Sequence, residues 1–356
     1  MRIAFVYEHA LCKGGYPRDV RWLAGALVSQ GVDVILFAAE GKETEGLDSR
    51  VTVKPLELVG NRMPADIYHI FGIFLPRQMR LLSQLLRRDT LVVLSPMGHL
   101  MPFHLKTNGA KKYLFLHVMK ILLLDLHFIH VFSETERDSI IRYWHGGVRS
   151  FEAGLGLFPA PFAPAPPRGA KNSLSLLFFG RNDVYQKGID ILLEGVAKAV
   201  DRGVPLQLTI AGQPWGSSER FIRDYINRRR LGEHARLLGP VDESVKWQLL
   251  READYLTFLS RWDGPPRPIR EAIAVGTPVL VSPETNMGQL VSKYAAGMQV
   301  QLRPEEVAQV LFEIANNTNL QNQHRDGVLQ LQNRLDWGRV AQDYIAGYQS
   351  MLGNGE

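Results

Sequence analysis

Two basic residues in the second half of the chain have the position and spacing of ligands for a diphosphate. Arg181 and Lys187 follow the apolar run 174–180, which has the composition of a buried strand. The loop after such a strand opens onto the edge of the sheet where ligands bind. Fixed cations there would stabilise the charge that grows on a departing diphosphate. A solvated loop with scattered charges is the alternative interpretation.

Two carboxylates further along the chain have a spacing that suits recognition of a nucleoside and a sugar. Asp263 and Glu271 are separated by seven residues that begin with the turn sequence Gly264-Pro-Pro. Pro268 is a residue type that often opens a helix, so Glu271 is expected in the first turns of that helix. We expect the turn to expose its backbone and both carboxylates to face one cleft. An ordinary helix start after a proline-rich turn would give the same pattern.

The first half of the chain offers weaker candidates. Gly14 and Gly15 lie between a predicted strand and a predicted helix, where glycine lets backbone amides approach a phosphate. A purely structural turn is equally compatible with the pair. His69 is expected at the end of a strand, a position at which histidine is more often structural than catalytic. Cys12 has no partner cysteine, so an intrachain disulfide and a paired-cysteine zinc site are excluded, and a small buried residue is expected.

Apolar runs alternate with amphipathic stretches, which predicts strands that alternate with helices. Strands are expected at 3–7, 33–37, 66–71, 90–94 and 128–132, and again at 174–180, 206–211, 236–238, 255–260 and 278–282. Helices are expected at 18–29, 76–87, 110–124, 189–200, 219–230, 243–252 and 268–275. This order predicts an α/β protein with parallel, doubly wound sheets that carry helices on both faces.

A change of composition at residues 154–172 divides the chain. This segment contains five prolines and three glycines and is expected to be an extended linker. We therefore expect one domain at 1–160, a second at 161–335 and a terminal helix at 336–356. Two doubly wound domains in tandem would leave a cleft at the carboxyl ends of their strands.

The overall composition is that of a folded protein. The chain has 356 residues, a hydrophobic fraction of 46% and a net charge of +5, which suits anionic small ligands and gives no nucleic-acid signature. The most apolar stretch, 113–132, carries too many ionisable residues for a membrane span and is expected to be a helix and a strand. The first apolar run is too short for a signal peptide, and with the single cysteine this favours a cytoplasmic protein.

Basic residues of the first domain form two clusters, which a solvated helix face would explain as well as a peripheral contact with an anionic membrane. The clusters are Arg77, Arg80, Arg87 and Arg88, and Lys106, Lys111 and Lys112.

The second half resembles glycosyltransferase family 4, the retaining GT-B enzymes also called glycosyl transferases group 1. The family has Gly-Arg and a nearby Lys-Gly after the first strand of its second domain, a strand that ends in Ala-Gly, and two acids followed by Ala and Gly-Thr-Pro-Val. The corresponding residues here are Gly180-Arg181, Lys187-Gly188, Ala211-Gly212, Asp263, Glu271-Ala272 and Gly276-Thr277-Pro278-Val279. Asp263 replaces the usual first glutamate.

The resemblance implies a GT-B fold of two Rossmann-like domains, the first on the acceptor side and the second binding the donor. It implies transfer, with retention, of a sugar from a nucleotide-diphosphate sugar to a hydroxyl of a glycan or lipid-linked saccharide, with no metal and no cofactor. Arg181 and Lys187 would bind the diphosphate, Glu271 the ribose and Asp263 the donor sugar. Backbone amides of the loop from Gly264 through Pro268 would approach the sugar or the β-phosphate of the donor, and Arg267 would compensate for amides that the prolines lack. The remaining expected donor contacts are Gly14, Gly15, Gly180 and Gly212.

One loop of the first domain departs from the family pattern. Residues 95–100, Ser-Pro-Met-Gly-His-Leu, resemble a loop that often reads Ser-Pro-His-Gly-Met-Leu or Ser-Pro-Arg-Gly-Met-Leu. Met97 stands where the basic residue is usual. Either His99, two positions on, reaches the same place and is the candidate catalytic residue of this loop, or the catalytic contact is made differently. The resemblance also implies that the helix near 335–348 crosses back to the first domain. A non-hydrolysing nucleotide-sugar epimerase and a degenerate binding or regulatory subunit are the alternative functions.

Overall fold

A computed structural model of the protein describes residues 1–39, 41–60, 64–88, 90–106, 109–122, 126, 128–141, 148–162 and 173–353. The chain forms two compact units. The first unit consists of Met1–Gly156 with Leu335–Glu356, and the second of Leu157–Arg334.

The first unit is built on a seven-stranded parallel sheet. Its strands are β1 (Arg2–Val6), β2 (Asp33–Ala38), β3 (Thr52–Pro55), β4 (Ile67–Phe71), β5 (Leu91–Ser95), β6 (Phe128–Val131) and β7 (Arg149–Glu152), in the order β3-β2-β1-β4-β5-β6-β7. The helices between them are α1 (Gly15–Ser29), α2 (Pro76–Leu86), α3 (Pro102–Lys106), α4 (Gly109–Leu122) and α5 (Glu134–Ile141). In β1, Ile3 and Phe5 pack in one apolar cluster, and Ala4 and Val6 pack in another. A strand covered on both faces needs a continuous apolar run, which is what this segment has.

The second unit has a six-stranded parallel sheet. Its strands are β8 (Leu174–Phe179), β9 (Leu206–Ala211), β10 (Ala235–Gly239), β11 (Tyr255–Phe258), β12 (Val279–Val281) and β13 (Gly297–Gln299), in the order β10-β9-β8-β11-β12-β13. Its helices are α6 (Ile189–Asp201), α7 (Ser218–Arg228), α8 (Glu243–Glu252), α9 (Arg267–Ala274), α10 (Gly288–Lys293), α11 (Pro304–Ala315) and α12 (Thr318–Arg334). The strand order reverses between β8 and β11, and ligands of such sheets bind at the carboxyl end of that point.

The last helix, α13 (Trp337–Leu352), packs in the first unit. Tyr344 and Tyr348 are fully buried, and Gly347 lies so close to the ring of Phe151 that a Cβ atom would come within 2.4 Å of it. The Trp337 indole stacks on the Trp22 indole of α1, with ring centroids 6.3 Å apart.

The predicted α/β class and the parallel sheets are confirmed, and three edge strands, β3, β7 and β13, were not foreseen. β3 and β7 contain no buried residue and have the mixed sequences Thr-Val-Lys-Pro and Arg-Ser-Phe-Glu, so neither has the apolar run that marks a buried strand, and β13 has only three residues. The prediction for 113–132 is confirmed as helix to Leu122 and strand from Phe128, but 123–125 and 127 lie outside the described residues. Of the expected linker, 163–172 also lie outside them, and 154–162 form neither helix nor strand.

Candidate functional site

Two glycines bring the carboxyl ends of β8 and β9 together. Gly212 has a φ of +135°, and a Cβ atom there would lie 1.7 Å from the carbonyl oxygen of Gly180. The Gly180 amide donates to the carbonyl of Ala211 at 3.1 Å, and the Gly212 amide donates to that of Gly239 at 2.8 Å. Both amides are thus engaged within the sheet. What the two glycines provide is the close approach of the loops that follow β8 and β9.

Lys187 and Asp263, predicted to contact different parts of a ligand, are hydrogen-bonded to each other. The Lys187 ammonium donates to Asp263 Oδ2 at 2.5 Å, and the Ser260 hydroxyl donates to the same oxygen at 3.0 Å. Lys187 is almost buried and lies over the ring of Phe258. The structure therefore places one cation and one carboxylate side by side after β8 and β11, the two strands of the switch point.

Arg181 is the more accessible cation of the site. Its guanidinium lies 4.3 Å from the ring centroid of Trp215, and its Nη2 donates to Gln186 Oε1 at 2.6 Å. The side chain is 43% exposed, so a planar group with several N–H donors faces solvent. Trp215, half-exposed in the loop after β9, was missed because a single tryptophan carries no spacing signal.

Glu271 is buried and held by two cations. Its Oε1 accepts hydrogen bonds from Lys246 Nζ and from Arg267 Nε, both at 2.8 Å. Lys246 also donates to Glu243 Oε1 at 2.6 Å, so two acidic and two basic residues join the start of α8 to α9. Arg267 thus contacts the second carboxylate, and its guanidinium lies 5.2 Å from the ring centroid of Phe158, while its expected contact with the donor stays a prediction.

Lys246 belongs to the candidate site through its contact with Glu271 and was not predicted from the sequence. It lies on α8, three residues after Glu243, and this spacing is typical of an ordinary surface ion pair. Yet Lys246 is only 4% exposed, because it lies on the side of α8 that packs inward with Leu250. A lysine in the apolar stripe of a helix is the signal that could have identified it.

The turn before α9 differs in part from its prediction. The helix begins at Arg267 with Pro268 in its first turn, as expected. The expectation that the turn exposes its backbone is wrong, since Gly264 and the two prolines after it are buried. The reason is a pair of hydrogen bonds at Asp263, whose amide donates to the carbonyl of Glu284 and whose carbonyl accepts from the Asn286 side chain. These bonds draw the turn against the segment after β12.

The glycine pair of the first unit lies at the start of a helix, as predicted. Gly14 is the N-cap of α1 with a φ of +146°, and a Cβ atom at Gly15 would meet nothing within 4 Å. No side chain in the described part of the chain caps this end, and the first turn of α1 contains no acidic residue. The N-terminus of a 15-residue helix thus keeps amide donors and a partial positive charge that suit an anion.

The loop after β5 has an unusual backbone. Met97 and Gly98 both have positive φ, +58° and +77°, and the Met97 side chain is buried. The Tyr16 hydroxyl of α1 donates to the Met97 carbonyl at 2.9 Å. The Gly98 amide donates to a carboxylate oxygen of Glu136 at 2.6 Å. Met97 is therefore part of the packing and does not present its side chain as the usual basic residue would.

His99 is neutral at physiological pH. Burial, together with the nearby charges of His104 and Lys112, lowers its pKa to about 4. Its Nδ1 atom is buried and has no hydrogen-bond partner among the residues that the structure describes. A neutral imidazole donates a hydrogen bond from one ring nitrogen and accepts one at the other, but it does not supply a positive charge.

Two other predictions for the first unit are corrected. His69 lies in the middle of β4 and not at its end, because β4 extends to Phe71. Its Nδ1 is hydrogen-bonded to the Tyr348 hydroxyl at 2.7 Å, so the structural interpretation holds for it. Cys12 is partly exposed, contrary to the expected burial, because it lies in the loop that leads to α1.

The basic clusters are partly engaged within the unit. Arg77 pairs with Glu57, Arg88 donates to the carbonyl of Gly60, and Lys112 donates to the carbonyl of His104. The Lys106 side chain lies outside the described residues, whereas Arg80, Arg87 and Lys111 are exposed. Among the described residues, no helix is long and apolar enough to cross a membrane.

Comparison with known proteins relates the second unit to one family. Residues 173–317 match the model of the family "Glycosyl transferases group 1". A phosphatidyl-myo-inositol mannosyltransferase of Mycobacterium tuberculosis is 29% identical over 195 residues, 53% of this chain and 50% of that protein. The chain thus matches about half the length of these mycobacterial relatives. A GDP-mannose:cellobiosyl-diphosphopolyprenol alpha-mannosyltransferase of Xanthomonas campestris is 24% identical over 93% of this chain and 84% of its own.

Solved structures share the fold over almost the whole chain. Sucrose-phosphate synthase from Thermosynechococcus elongatus matches with a TM-score of 0.71 and 16% identity, covering 99% of both chains. The Anabaena protein HepE in complex with UDP matches with a TM-score of 0.73 and 16% identity, covering 98% of this chain and 100% of that one. These likenesses confirm the predicted GT-B fold class.

Proposed function

We propose that the chain, whose residues 173–317 form a group 1 glycosyltransferase domain, transfers a sugar from a nucleotide-diphosphate sugar to a hydroxyl acceptor. One observation carries the proposal. Arg181, Lys187, Asp263 and Glu271 all lie on the loops and the helix that follow β8 and β11, where the strand order of the sheet reverses. This is the ligand-binding edge of a doubly wound sheet, and it carries both the cations and the carboxylates that a nucleotide sugar requires.

The donor that we propose is GDP-mannose. The Xanthomonas relative, which is named for this donor, aligns with 93% of the chain, and the mycobacterial relatives are named as mannosyltransferases. UDP-glucose is the second candidate, since HepE was solved with UDP and with UDP-glucose. A glycan or lipid-linked saccharide is the proposed acceptor, in keeping with the polyprenol-linked substrate in the name of the Xanthomonas protein.

We assign the residues as follows. The exposed guanidinium of Arg181 binds the diphosphate, and Lys187 shares its ammonium between the diphosphate and Asp263, whose carboxylate then receives a hydroxyl of the sugar. Glu271, held by Lys246 and Arg267, binds the ribose hydroxyls. The two site cations stabilise the charge of the departing diphosphate, so the reaction needs no metal.

The proposed transfer proceeds with retention of configuration. The acceptor oxygen bonds to the anomeric carbon on the face that the diphosphate leaves, while the bond from that carbon to the diphosphate oxygen breaks. The acceptor proton passes to the departing phosphate oxygen, which gains the electron pair of the broken bond. No side chain of the protein takes part covalently in this scheme.

A peripheral membrane contact through α4 would suit a lipid-linked acceptor. Leu114 and Val118 are 68% and 46% exposed on one side of this helix, with Tyr113 and the basic Lys111 beside them. An apolar stripe next to a lysine suits the interface of an anionic bilayer. Leu114→Glu should reduce co-sedimentation of the protein with anionic phosphatidylglycerol vesicles, whereas Leu329→Glu, at an exposed leucine of the second unit, should not. Equal binding by both variants would reject this contact.

The activity is tested with purified full-length protein, radiolabelled GDP-mannose or UDP-glucose, and a polyprenol-linked saccharide. We expect label in the lipid-linked product, and a loss of at least about 100-fold in Arg181→Ala, since a charge-assisted contact to the diphosphate is removed. Arg220→Ala, at an exposed arginine of α7, is the matched control. An altered donor sugar without any acceptor product would identify an epimerase. Nucleotide binding without turnover would identify a binding subunit.

A further inference from the structure

Glu136 is a fully buried carboxylate that joins two strand ends of the first unit. It lies in the first turn of α5, and its Oε1 accepts the Gly98 amide at 2.6 Å while its Oε2 accepts the Phe132 amide at 2.8 Å. Gly98 follows β5 and Phe132 follows β6. Each oxygen of the carboxylate thus holds the backbone of a different loop at the carboxyl edge of the sheet.

These contacts differ from those of ordinary helix capping. Ser133 and Glu136 have the spacing of a capping box, and the Ser133 hydroxyl accepts the Glu136 amide at 3.2 Å. In a capping box the glutamate side chain would return to the amide of Ser133 itself. Glu136 instead reaches the preceding residue, Phe132, and crosses to the loop after β5. Helix capping therefore does not account for its position.

The loop that Glu136 holds has a conformation that requires support. Met97 is a non-glycine residue with a φ of +58°, followed by Gly98 with a φ of +77°. A residue keeps such an unfavourable backbone conformation only where contacts with the surrounding structure hold it in place. Three hydrogen bonds do so here: Glu136 to the Gly98 amide, Tyr16 to the Met97 carbonyl, and the His99 amide to the carbonyl of Pro96.

The same turn connects two candidate groups of the first unit. Tyr16 lies in the first turn of α1, directly after Gly14 and Gly15, and its ring centroid is 6.2 Å from that of His99. A shift of the Met97–Gly98 turn would therefore displace His99 directly and the start of α1 through the Tyr16 hydroxyl.

Burial of the Glu136 carboxylate is unfavourable for the stability of the fold. Burial raises the pKa of its carboxyl to about 7, and no ion partner is found for it in the described part of the chain. A carboxylate in such surroundings destabilises a fold unless it is fully hydrogen-bonded. Its presence at a turn that carries candidate site residues is better explained by the geometry that it imposes than by stability.

We infer that Glu136 is a positioning residue of the transferase: it fixes the Met97–Gly98 turn and thereby places His99 and the amides at the start of α1. This inference rests on the proposed function. It assigns Glu136 no contact with the substrate. The bridging of two amides requires two acceptor oxygens on one side chain. Aspartate has two such oxygens but a shorter side chain, and glutamine has only one acceptor oxygen.

The test compares Glu136→Gln with Glu134→Gln, a control in the same helix at an exposed glutamate that pairs with Arg137. Glutamine presents an NH2 group to one of the two amides, so the turn should loosen. We expect kcat to fall at least about 10-fold in Glu136→Gln, and the Kd for GDP to rise by a smaller factor, because the amides at the start of α1 shift while Arg181, Lys187 and Glu271 keep their places. Amide hydrogen exchange of a peptide covering 96–100 should become at least several-fold faster. Glu134→Gln should match the wild type in all three measurements.

Other outcomes are decisive as well. Wild-type kcat and exchange in Glu136→Gln would overturn the inference. If that variant does not fold, Tyr16→Phe, which removes the bond to the Met97 carbonyl, must lower kcat by a larger factor than it raises the Kd for GDP, and wild-type turnover would overturn the inference. If the wild type transfers no sugar, the proposed function fails, whereas faster exchange in the folded Glu136→Gln variant, or in Tyr16→Phe, would still show that the turn depends on these bonds.

Discussion

The charges of Lys187 and Asp263 compensate each other. Removal of the Asp263 charge should therefore strengthen nucleotide binding but slow turnover. Asp263→Asn removes the charge that competes with a diphosphate for the Lys187 ammonium. We expect the variant to bind GDP about 3- to 10-fold more tightly, roughly 0.7–1.4 kcal/mol, while its kcat falls because a hydroxyl ligand is lost. Calorimetric titration and steady-state kinetics measure the two effects. Weaker GDP binding would contradict the proposed role of the pair, and Asp201→Asn, at an exposed residue of the same unit, is the control.

At this scale the sequence predicted which strand end or helix each candidate residue occupies, but not how the residues pair. Arg181 and Glu271 have the spacing that places them after β8 and on α9, because strand ends and helix starts leave local signals. Lys246 gave no such signal, because its contact with Glu271 depends on how α8 packs beside α9. The bond between Lys187 and Asp263 likewise joins residues 76 positions apart, which spacing alone does not predict.

Among the elements, the contact between β8 and β9 depends on the absence of a side chain at Gly212. Gly212→Ala would place a Cβ atom 1.7 Å from the Gly180 carbonyl oxygen, on a backbone with positive φ. We expect a loss of several kcal/mol, about 3 or more, in the free energy of unfolding. Gly203→Ala also has a positive φ but meets nothing within 4 Å, so it should lose only about 1–2 kcal/mol. Urea unfolding measures both, and equal losses would show that the close approach is unimportant.

The attachment of α13 to the sheet of the first unit gives a second matched pair. Tyr348 shares a hydrogen bond with buried His69, whereas the Tyr344 hydroxyl is buried with no hydrogen-bond partner among the described residues. Tyr348→Phe should lower the free energy of unfolding by about 1–3 kcal/mol, because a buried imidazole nitrogen loses its partner. Tyr344→Phe should be neutral or stabilising. Thermal unfolding would contradict this account if Tyr344→Phe proved the more damaging change.

For the whole molecule, pH should act mainly through buried imidazoles. Burial is the largest cause that lowers the pKa of His69, His99, His130 and His324, to about 4 for the last three. The unfolded chain binds protons at these residues below about pH 6.5 and the folded chain does not, so stability is lost as pH falls from 6.5 towards 4. Glu136 has the opposite effect, because its pKa is raised to about 7 in the folded chain. Its contribution to the stability of the fold is lost as pH rises from about 4.5 to 7.

Because Glu136 and the buried histidines have opposite effects on stability as pH changes, Glu136→Gln should alter the pH dependence of stability. Removing the carboxyl removes the contribution that declines with pH, so stability should rise more steeply between pH 5 and 6.5 than in the wild type. The difference in slope should reach up to about 1.4 kcal/mol per pH unit, the value for one proton. Urea unfolding across that range measures it. Parallel curves would mean that Glu136 has an ordinary pKa.

The architecture of the whole chain was the most predictable feature. Alternating apolar runs such as 3–7 and 206–211 mark strands because parallel sheets are covered on both faces. The edge strands β3 and β7 were missed for the converse reason, since exposed strands need no apolar run, and β13 was missed because its three residues are too short to form one. The Met97–Gly98 turn was also beyond prediction, because its conformation is set by Glu136 and Tyr16 from other elements.

We propose that Arg181 and Glu271 of the second unit form a donor site that works without a metal. The most direct measurement is calorimetric titration of the full-length protein with GDP and UDP in EDTA and then in magnesium. We expect one nucleotide to bind in EDTA, with little change in magnesium, and we expect its affinity to fall about 10- to 100-fold in Arg181→Ala and in Glu271→Gln, because charge-assisted contacts are removed. Binding that requires magnesium, or wild-type affinity in both variants, would show that this donor site does not exist.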